Sequence, residues 1–495
     1  MILFDCRLSI SNHKFQIENR NLQTLAQRRR IWYKFRRMLD GICHRSIQKT
    51  KGRRQMTKPG SQNLSDDSQK SQIGNRQSKI PWWRSIGPAL ITACVVFGPG
   101  SLLISSNVGA KYGFDLLWLL VLTGILMGTY MTTAARIGVV GGATPCTLLA
   151  DRLGRGFAAV VGINLCLICS VFQFSNNLAV VAAAEALIPK VPSIIVLAAL
   201  NGLIIIFLFT AKEVYWLLER VMKVMVGIIL VSFAINVILA GPSLVAILKG
   251  LIPGIPEGIT LGLPHKMGGK IEDPLLLIAS LLGTTFSVAA AFYQGNLVRE
   301  RGWTINEYRN GIGDSIAGVA VLTGVSAVIM MTTAAVIPGQ QAQDIGVLAR
   351  SLQPLLRTTA YTIFCVGLFA VAMNPFLINA MIGGSILADG LGKPAKLSDR
   401  WSRMFTVVVL LIGMLVAVLA LRTGQRPVNL IIFGQALTVI GNPLMAATIL
   451  WLANRKDIMG ERRNTLLLNV LGGVGFLVVL FMAVRVLISV ILKLT

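Results

Sequence analysis

The sequence predicts an all-α membrane protein, a five-plus-five inverted repeat of about eleven transmembrane helices with the first and sixth discontinuous. Three observations carry this expectation. Hydrophobic residues make up 54% of the 495 and charged residues 14%, with a mean hydropathy of +0.68; soluble domains carry about 25% charged residues. The chain holds a series of apolar runs near the roughly 20 residues that a bilayer crossing needs. The first and sixth runs are interrupted by small or helix-breaking residues at equivalent places in the two halves, as in inverted repeats with a binding site at the membrane midplane. A soluble enzyme, a disordered scaffold and a coiled coil are excluded.

The formal charge of +26 would by itself suggest a nucleic-acid partner, but its distribution argues for none. Residues 1–84 carry +14, with QRRR (27–30), FRRM (35–38) and KGRR (51–54) followed by a Ser/Gln/Asn-rich linker to Lys79. Residues 1–80 therefore read as a basic, disordered cytoplasmic tail that touches anionic lipid, and 81–495 as the transmembrane domain in the lipid bilayer. The start MILFDCRLSI lacks the basic and apolar regions of a signal peptide.

The spans fall near 86–110, 114–137, 156–188, 193–210, 217–240, 275–297, 312–337, 358–388, 403–421, 428–453 and 465–492. The first contains Gly98-Pro99-Gly100-Ser101, where the proline removes a donor and the glycines favour unwinding. The third carries Cys166-x-x-Cys169, which reads as small apolar packing because no second pair accompanies it. The Pro/Gly-rich connector 241–274 reads as a passive external loop. The sixth span holds Gly283-Thr284-Thr285 and then Ser287, a polar, small-residue centre without proline. The eighth and tenth contain Asn374-Pro375 and Asn442-Pro443, whose amides can satisfy carbonyls freed by the following proline. Asn176, Asn177, Asn374, Asn379 and Asn442 otherwise read as interhelical hydrogen-bonding groups. Tryptophans such as Trp118, Trp303 and Trp451 sit near span ends, as an aromatic belt should.

With the tail inside, the connectors on its side hold 17 Lys/Arg, including Arg136, Arg152, Arg155, Lys393 and Arg455, against 10 on the other side. The positive-inside rule places the N-terminus in the cytoplasm, and a plasma (inner) membrane location is expected.

These residues resemble the NRAMP family of divalent metal transporters over about 88–455. GPGS (98–101) with GA (109–110) and GFDLLW (113–118) looks like the family's Asp-Pro-Gly-Asn first helix and the start of its second. RIGVVGGATPCTLLADRLG (136–154), NLAVVAAAEAL (177–187) and FGQALTVIGNPLMAATIL (433–450) resemble its second-to-third connector, third helix and tenth helix. The resemblance implies the LeuT-type fold and places Gln435 on the family's metal-facing glutamine. It also exposes departures. The family's metal-binding Asp becomes Gly98 and its Asn becomes Ser101; its sixth-helix Met-Pro-His falls near Ser287-Val288-Ala289; its proton-handling histidine falls at Gln294 and its third-helix acid at Asn177. A divergent branch that carries Mg²⁺ without protons has likewise lost the methionine, and TTFSVAAAFYQGNLVRERGW (284–303) looks like that branch's sixth helix.

Independently of the resemblance, no span contains a histidine, and Asp115, Glu185, Asp314 and Asp389 fall near helix ends. Mn²⁺ and Fe²⁺ favour imidazole, carboxylate or sulfur. The broken spans and the resemblance together imply a candidate substrate site of Gly98, Ser101, Thr284, Thr285, Ser287 and Gln435, with Gly98, Ser101, Thr284 and Gln435 as metal-facing groups and Asn177, Tyr293 and Gln294 along the pathway. Neutral oxygens suit hydrated Mg²⁺, which keeps several waters. The leading expectation is a secondary transporter moving a divalent cation by alternating access without tight proton coupling. Its rivals are a monovalent cation or small organic solute on the same fold, and a non-transporting membrane sensor with the tail as output arm. No cofactor is implied, and an enzyme is disfavoured because no catalytic constellation lies at bilayer depth.

Overall fold

The computed structural model describes residues 97–495, apart from 189–190, 211–226, 228–230, 257–258, 268–269, 301, 341–344, 350–351, 353–359 and 495. The basic tail, the boundary near residue 80 and parts of the first and fifth spans lie outside the described residues. The described helices are α1 (Pro99–Tyr112), α2 (Leu117–Val140), α3 (Pro145–Leu153), α4 (Arg155–Leu187), α5 (Ser193–Thr210) and α6 (Val231–Ala240). The second half follows with α7 (Leu276–Thr285), α8 (Val288–Glu300), α9 (Ile305–Val336), α10 (Ala360–Gly390), α11 (Arg400–Leu421), α12 (Pro427–Leu437), α13 (Asn442–Asn454) and α14 (Leu466–Leu494). Among the described residues eight helices are long and apolar enough to cross a membrane, counting α7–α8 and α12–α13 as one each, or nine with the bent α6 and Leu244–Gly250 pair. The protein is a multi-pass integral membrane protein.

Local chemistry sets the ends. Pro99 occupies the first turn of α1, where its missing N–H costs nothing, and Gly98 is the extended N-cap residue. α3 begins at Pro145 behind Thr144, whose hydroxyl accepts from the Thr147 N–H (3.3 Å). α9 begins at Ile305 and not near 312, because its polar first turns continue the helix beyond the apolar run. The connector 241–274 is more structured than a passive loop. It contains a helix, Leu244–Gly250, and an antiparallel pair, His265–Met267 with Lys270–Glu272. Its Gly254 carbonyl accepts from Trp118 Nε1 (3.0 Å).

In lipid, helices associate through close packing, so small residues mark the crossings. A Cβ at Gly109 would lie 2.2 Å from the Met330 carbonyl oxygen, where α1 crosses α9. One at Gly138 would lie 2.3 Å from the Gly295 carbonyl oxygen, where α2 crosses α8. The long helices α4 and α10 pack most extensively; Gly162 lies against Gly390, and Gly383 against Cys169. Cys146, Cys166, Cys169 and Cys365 are buried, in keeping with small packing residues.

On the face that carries α3, Asp457 pairs with Arg152 (2.7 Å) and Arg455 (2.8 Å). The bonded Arg455 and Arg152 guanidinium groups hold its carboxyl well below the usual carboxylate range. That contribution is present at neutral pH and is lost only as pH falls through the depressed value.

The opposite end of the bundle holds an ion pair that the sequence reading passed over. Arg485 of α14 and Asp273, just before α7, are 1% and 3% exposed at their side chains. Arg485 Nη2 donates to Asp273 Oδ1 (2.8 Å), Ser489 Oγ to Oδ2 (3.0 Å), and the Leu275 N–H to Oδ1 (3.1 Å). Arg485 Nη1 also donates to the Leu261 carbonyl (3.1 Å). One side chain thus ties the last helix, the 241–274 connector and the start of α7 together. Removing one partner of a buried pair costs about 3–5 kcal/mol, because the other charge is left uncompensated. Arg485→Met should therefore lower the unfolding temperature of the detergent-solubilised protein sharply, and Arg485→Met with Asp273→Asn should recover part of the loss. Equal melting of the single variant and the parent would refute this role.

Candidate functional site

The site is built where two helices stop. α7 ends at Thr285; Phe286 and Ser287 leave the helix, and α8 starts at Val288. Ser287 caps α8: its Oγ accepts from the Ala290 N–H (3.4 Å) and its carbonyl from the Ala291 N–H (3.1 Å). A carbonyl freed inside a bilayer needs a partner within the protein. The Phe286 carbonyl accepts from the Val288 N–H (3.1 Å) and from Asn442 Nδ2 (3.5 Å). Asn442 therefore serves a break in another helix, rather than only the carbonyls before its own proline.

α12 and α13 are likewise separated, by one 3-10 turn at Thr438–Gly441, an interruption the sequence reading did not identify. Thr438 Oγ1 donates to the Gln435 carbonyl (2.7 Å), and Asn164 Nδ2 to the Gly441 carbonyl (2.9 Å). This turn lies beside the α7 break, because Gly283 packs on the Gln435 backbone: a Cβ there would stand 2.2 Å from the Gln435 carbonyl oxygen. Gly100 in turn accepts the Gln435 side chain, whose Cδ lies 2.5 Å from where its Cβ would be.

A partly open cavity of about 60 Å³ sits among these ends. Gly98, Pro99, Gly100 and Ser101 of the first helix, Thr284 and Ser287 around the sixth-helix break, and Gln435 of α12 line it. Phe172 and Asn176 of α4, Ala290 of α8, and Ile378, Asn379 and Ile382 of α10 complete it. A water molecule needs on the order of 10–15 Å³ of such space, so the cavity admits an ion with part of its hydration shell. The lining holds neither charge nor sulfur. Gln435 is 2% exposed, and among the described residues its Oε1 has no hydrogen-bond partner. Among the described residues no group of three or more His, Cys, Asp or Glu is placed to hold a metal ion. The positive ends of α1 and α8 and the negative end of α7 all meet here.

The structure thus brings Gly98, Ser101, Thr284, Ser287 and Gln435 to one cavity. The Gly98 carbonyl is already an acceptor for the Leu102 N–H (3.3 Å), so it is less free than an unwound carbonyl. Thr285 is buried but is not part of the lining. The three pathway residues lie elsewhere. Asn177 Oδ1 accepts from Asn201 Nδ2 (2.7 Å) between α4 and α5, and Gln294 Nε2 donates to Ser315 Oγ (3.4 Å). Tyr293 is buried within α8. Asn379 and Asn176 line the cavity although their sequence context read as helix–helix contact; only their place opposite the breaks distinguishes them.

A second, more open cavity of about 390 Å³ lies at the Glu300 end of α8. At its wall Asp389, 4% exposed, accepts from Thr144 Oγ1 (2.7 Å), Thr147 Oγ1 (3.3 Å) and Asn296 Nδ2 (2.8 Å). One carboxylate so joins α10, α8 and the turn before α3.

A helical bundle in which the α7–α8 break meets the start of α1 at an internal cavity has the LeuT-type membrane fold. The chain belongs to the natural resistance-associated macrophage protein-like (Nramp) family, whose pattern matches residues 89–489. A divalent metal cation transporter MntH of Acidiphilium cryptum is 23% identical over 399 residues, covering 78% of this chain and 87% of that protein. The Bacillus subtilis MntH is 23% identical over 393 residues, covering 77% and 86%. A manganese transporter mutant from Eremococcus coleocola has the same fold, with a TM-score of 0.67 at 20% identity over 86% of this chain and 90% of that one.

The glycine contacts predict a contrast. Gly283→Ala meets backbone and must push α7 from α12, so it should cost about 1–3 kcal/mol as overpacking does, read as a lower unfolding temperature. Gly100→Ala meets the flexible end of Gln435 and should melt close to the parent. The reverse order would contradict the packing described.

Proposed function

We propose that the protein is a secondary transporter, not an enzyme, that moves a divalent metal cation across the membrane by alternating access, with partly hydrated Mg²⁺ as its best-suited cargo and without tight proton coupling. The observation that carries this reading is the uncharged, oxygen-lined cavity between the start of α1 and the α7–α8 break. Ser101, Thr284, Ser287 and Gln435 would face the cation, and the Gly98–Ser101 turn would form the floor of the site. Family membership and the names of the MntH relatives support a divalent cation. The donor set favours Mg²⁺ over Mn²⁺, because hard neutral oxygens with retained waters suit the smaller, strongly hydrated ion. It also supports kinship with the magnesium-carrying branch of the family. The cavity lining contains no titratable side chain, which supports transport without protons. The location proposed is the plasma membrane, with the N-terminus cytoplasmic and the basic tail on anionic lipid.

A specific observation favours a second reading. The N-terminal ends of α1 and α8 present positive dipoles to the cavity, as suits a small organic solute with a carboxylate.

Purified protein in liposomes decides between them. Mg²⁺ influx without internal acidification is the expected result. Mn²⁺ influx with acidification would refute the ligand argument, and no flux of either ion would favour the organic solute. Gly98→Asp with Ser101→Asn should raise Mn²⁺ affinity measured by calorimetry; no gain would remove the first helix from the site.

A further inference from the structure

We infer that Asn176 of α4 and Asn379 of α10 donate side-chain carbonyl oxygens to the transported cation and set its preference for a hard, partly hydrated ion. This rests on the proposed divalent-cation transport. A divalent ion that sheds water must regain oxygen ligands, and Mg²⁺ takes about six in octahedral array. The broken helices supply part of this set. Thr284 Oγ1 donates to the Leu281 carbonyl (3.0 Å) and keeps its lone pairs, and Ser287 Oγ accepts from the Ala290 N–H and keeps one. Ser101 and Gln435 Oε1 stand on the same side.

The opposite wall of the cavity is formed by the long helices α4 and α10, and its polar groups are Asn176 and Asn379. Amide carbonyl oxygens are hard, neutral ligands with a larger dipole than a hydroxyl. Asn176 is 2% exposed and gives its Nδ2 to Gln173 Oε1 (3.4 Å), which leaves its Oδ1 for the cavity. Gln173 is itself pinned, since its Cβ lies 2.6 Å from where a Cβ on Gly413 of α11 would be. The asparagine is thus held in orientation from behind. Asn379 is half-buried and, among the described residues, makes no hydrogen bond, so its whole amide is available to a ligand. An asparagine serving only as an interhelical contact would be bonded across a crossing, as Asn201 is to Asn177. The ion would then be gripped between the broken helices and the long pair, with protein oxygens from both walls, Asn176 and Asn379 among them, and the rest from water.

The test is Mg²⁺ and Mn²⁺ influx into liposomes for the full chain and for Asn379→Ala, Asn176→Ala and Asn379→Asp, with unfolding temperature measured for each. Asn379→Ala and Asn176→Ala should raise the Mg²⁺ KM by at least about tenfold with a smaller change in maximal rate. Asn379→Asp should lower the KM for both ions and favour Mn²⁺ relative to the parent. Should Asn176→Ala fail to fold, the two Asn379 variants, at a half-buried cavity position, decide the matter. Parent-like KM values in the Asn379 variants, with the parent transporting, would overturn this inference alone. Absence of divalent flux in the parent would overturn the transport reading and this inference with it.

Discussion

The helix interruptions beside the cavity are constrained by the same requirement: a backbone group released at bilayer depth must be satisfied by the protein itself. The Phe286 carbonyl finds Asn442, the Gly441 carbonyl finds Asn164, and the Gln435 carbonyl finds Thr438. These partners lie on different helices in two cases of the three, so the breaks stabilise one another. The same groups fix where Gln435 stands and therefore where the cavity is. Glycine makes the arrangement possible, since Gly283 alone lets α7 approach the Gln435 backbone.

Charge is arranged in the opposite way. The cavity lining is neutral, while buried charge collects toward the two ends of the bundle, as Asp389 bonded to neutral donors and as Arg485 paired with Asp273. A bare divalent ion in a neutral pocket would be unstable, because desolvation of a charge costs several kcal/mol without compensation. For the proposed cation, retained water and several carbonyl dipoles would address that cost together, and hydration would be part of the recognition.

Much of this was legible in the sequence. Apolar runs separated by short connectors gave the helices, and Gly-Pro-Gly marked the start of α1, because proline and glycine act locally. Five of the six expected site residues meet at one cavity, since half-repeat equivalence is visible in one dimension. What was not legible depends on partners remote in the chain. Arg485 lies in the apolar run LFMAVRVLISV, and nothing nearby announces Asp273, more than two hundred residues earlier. The 3-10 turn in the tenth span carries Gly441 and Pro443, but only the packing of α7 shows why the helix tightens there. Thr285 differs from Thr284 by one step of rotation about the helix, which family likeness cannot resolve. Asn177 and Asn176 differ in the same manner: one faces α5, the other the cavity.

The Arg485–Asp273 pair also has a mechanical consequence. It anchors the first turn of α7 to a helix outside the five-plus-five repeat, with a buried charge contact at one end and glycine-enabled backbone contact at the other. Beyond the Phe286-Ser287 joint, α8 is tethered at its far end through the Asn296–Asp389 bond. The sixth span is thus held on both sides of the Phe286-Ser287 joint: α7 by the ion pair and the Gln435 backbone, α8 by the Asn296–Asp389 and Gln294–Ser315 bonds and by the close approach of Gly138 to Gly295. With both arms held, the joint is the place where the two halves of the span change direction, and Ser287 within it lines the cavity.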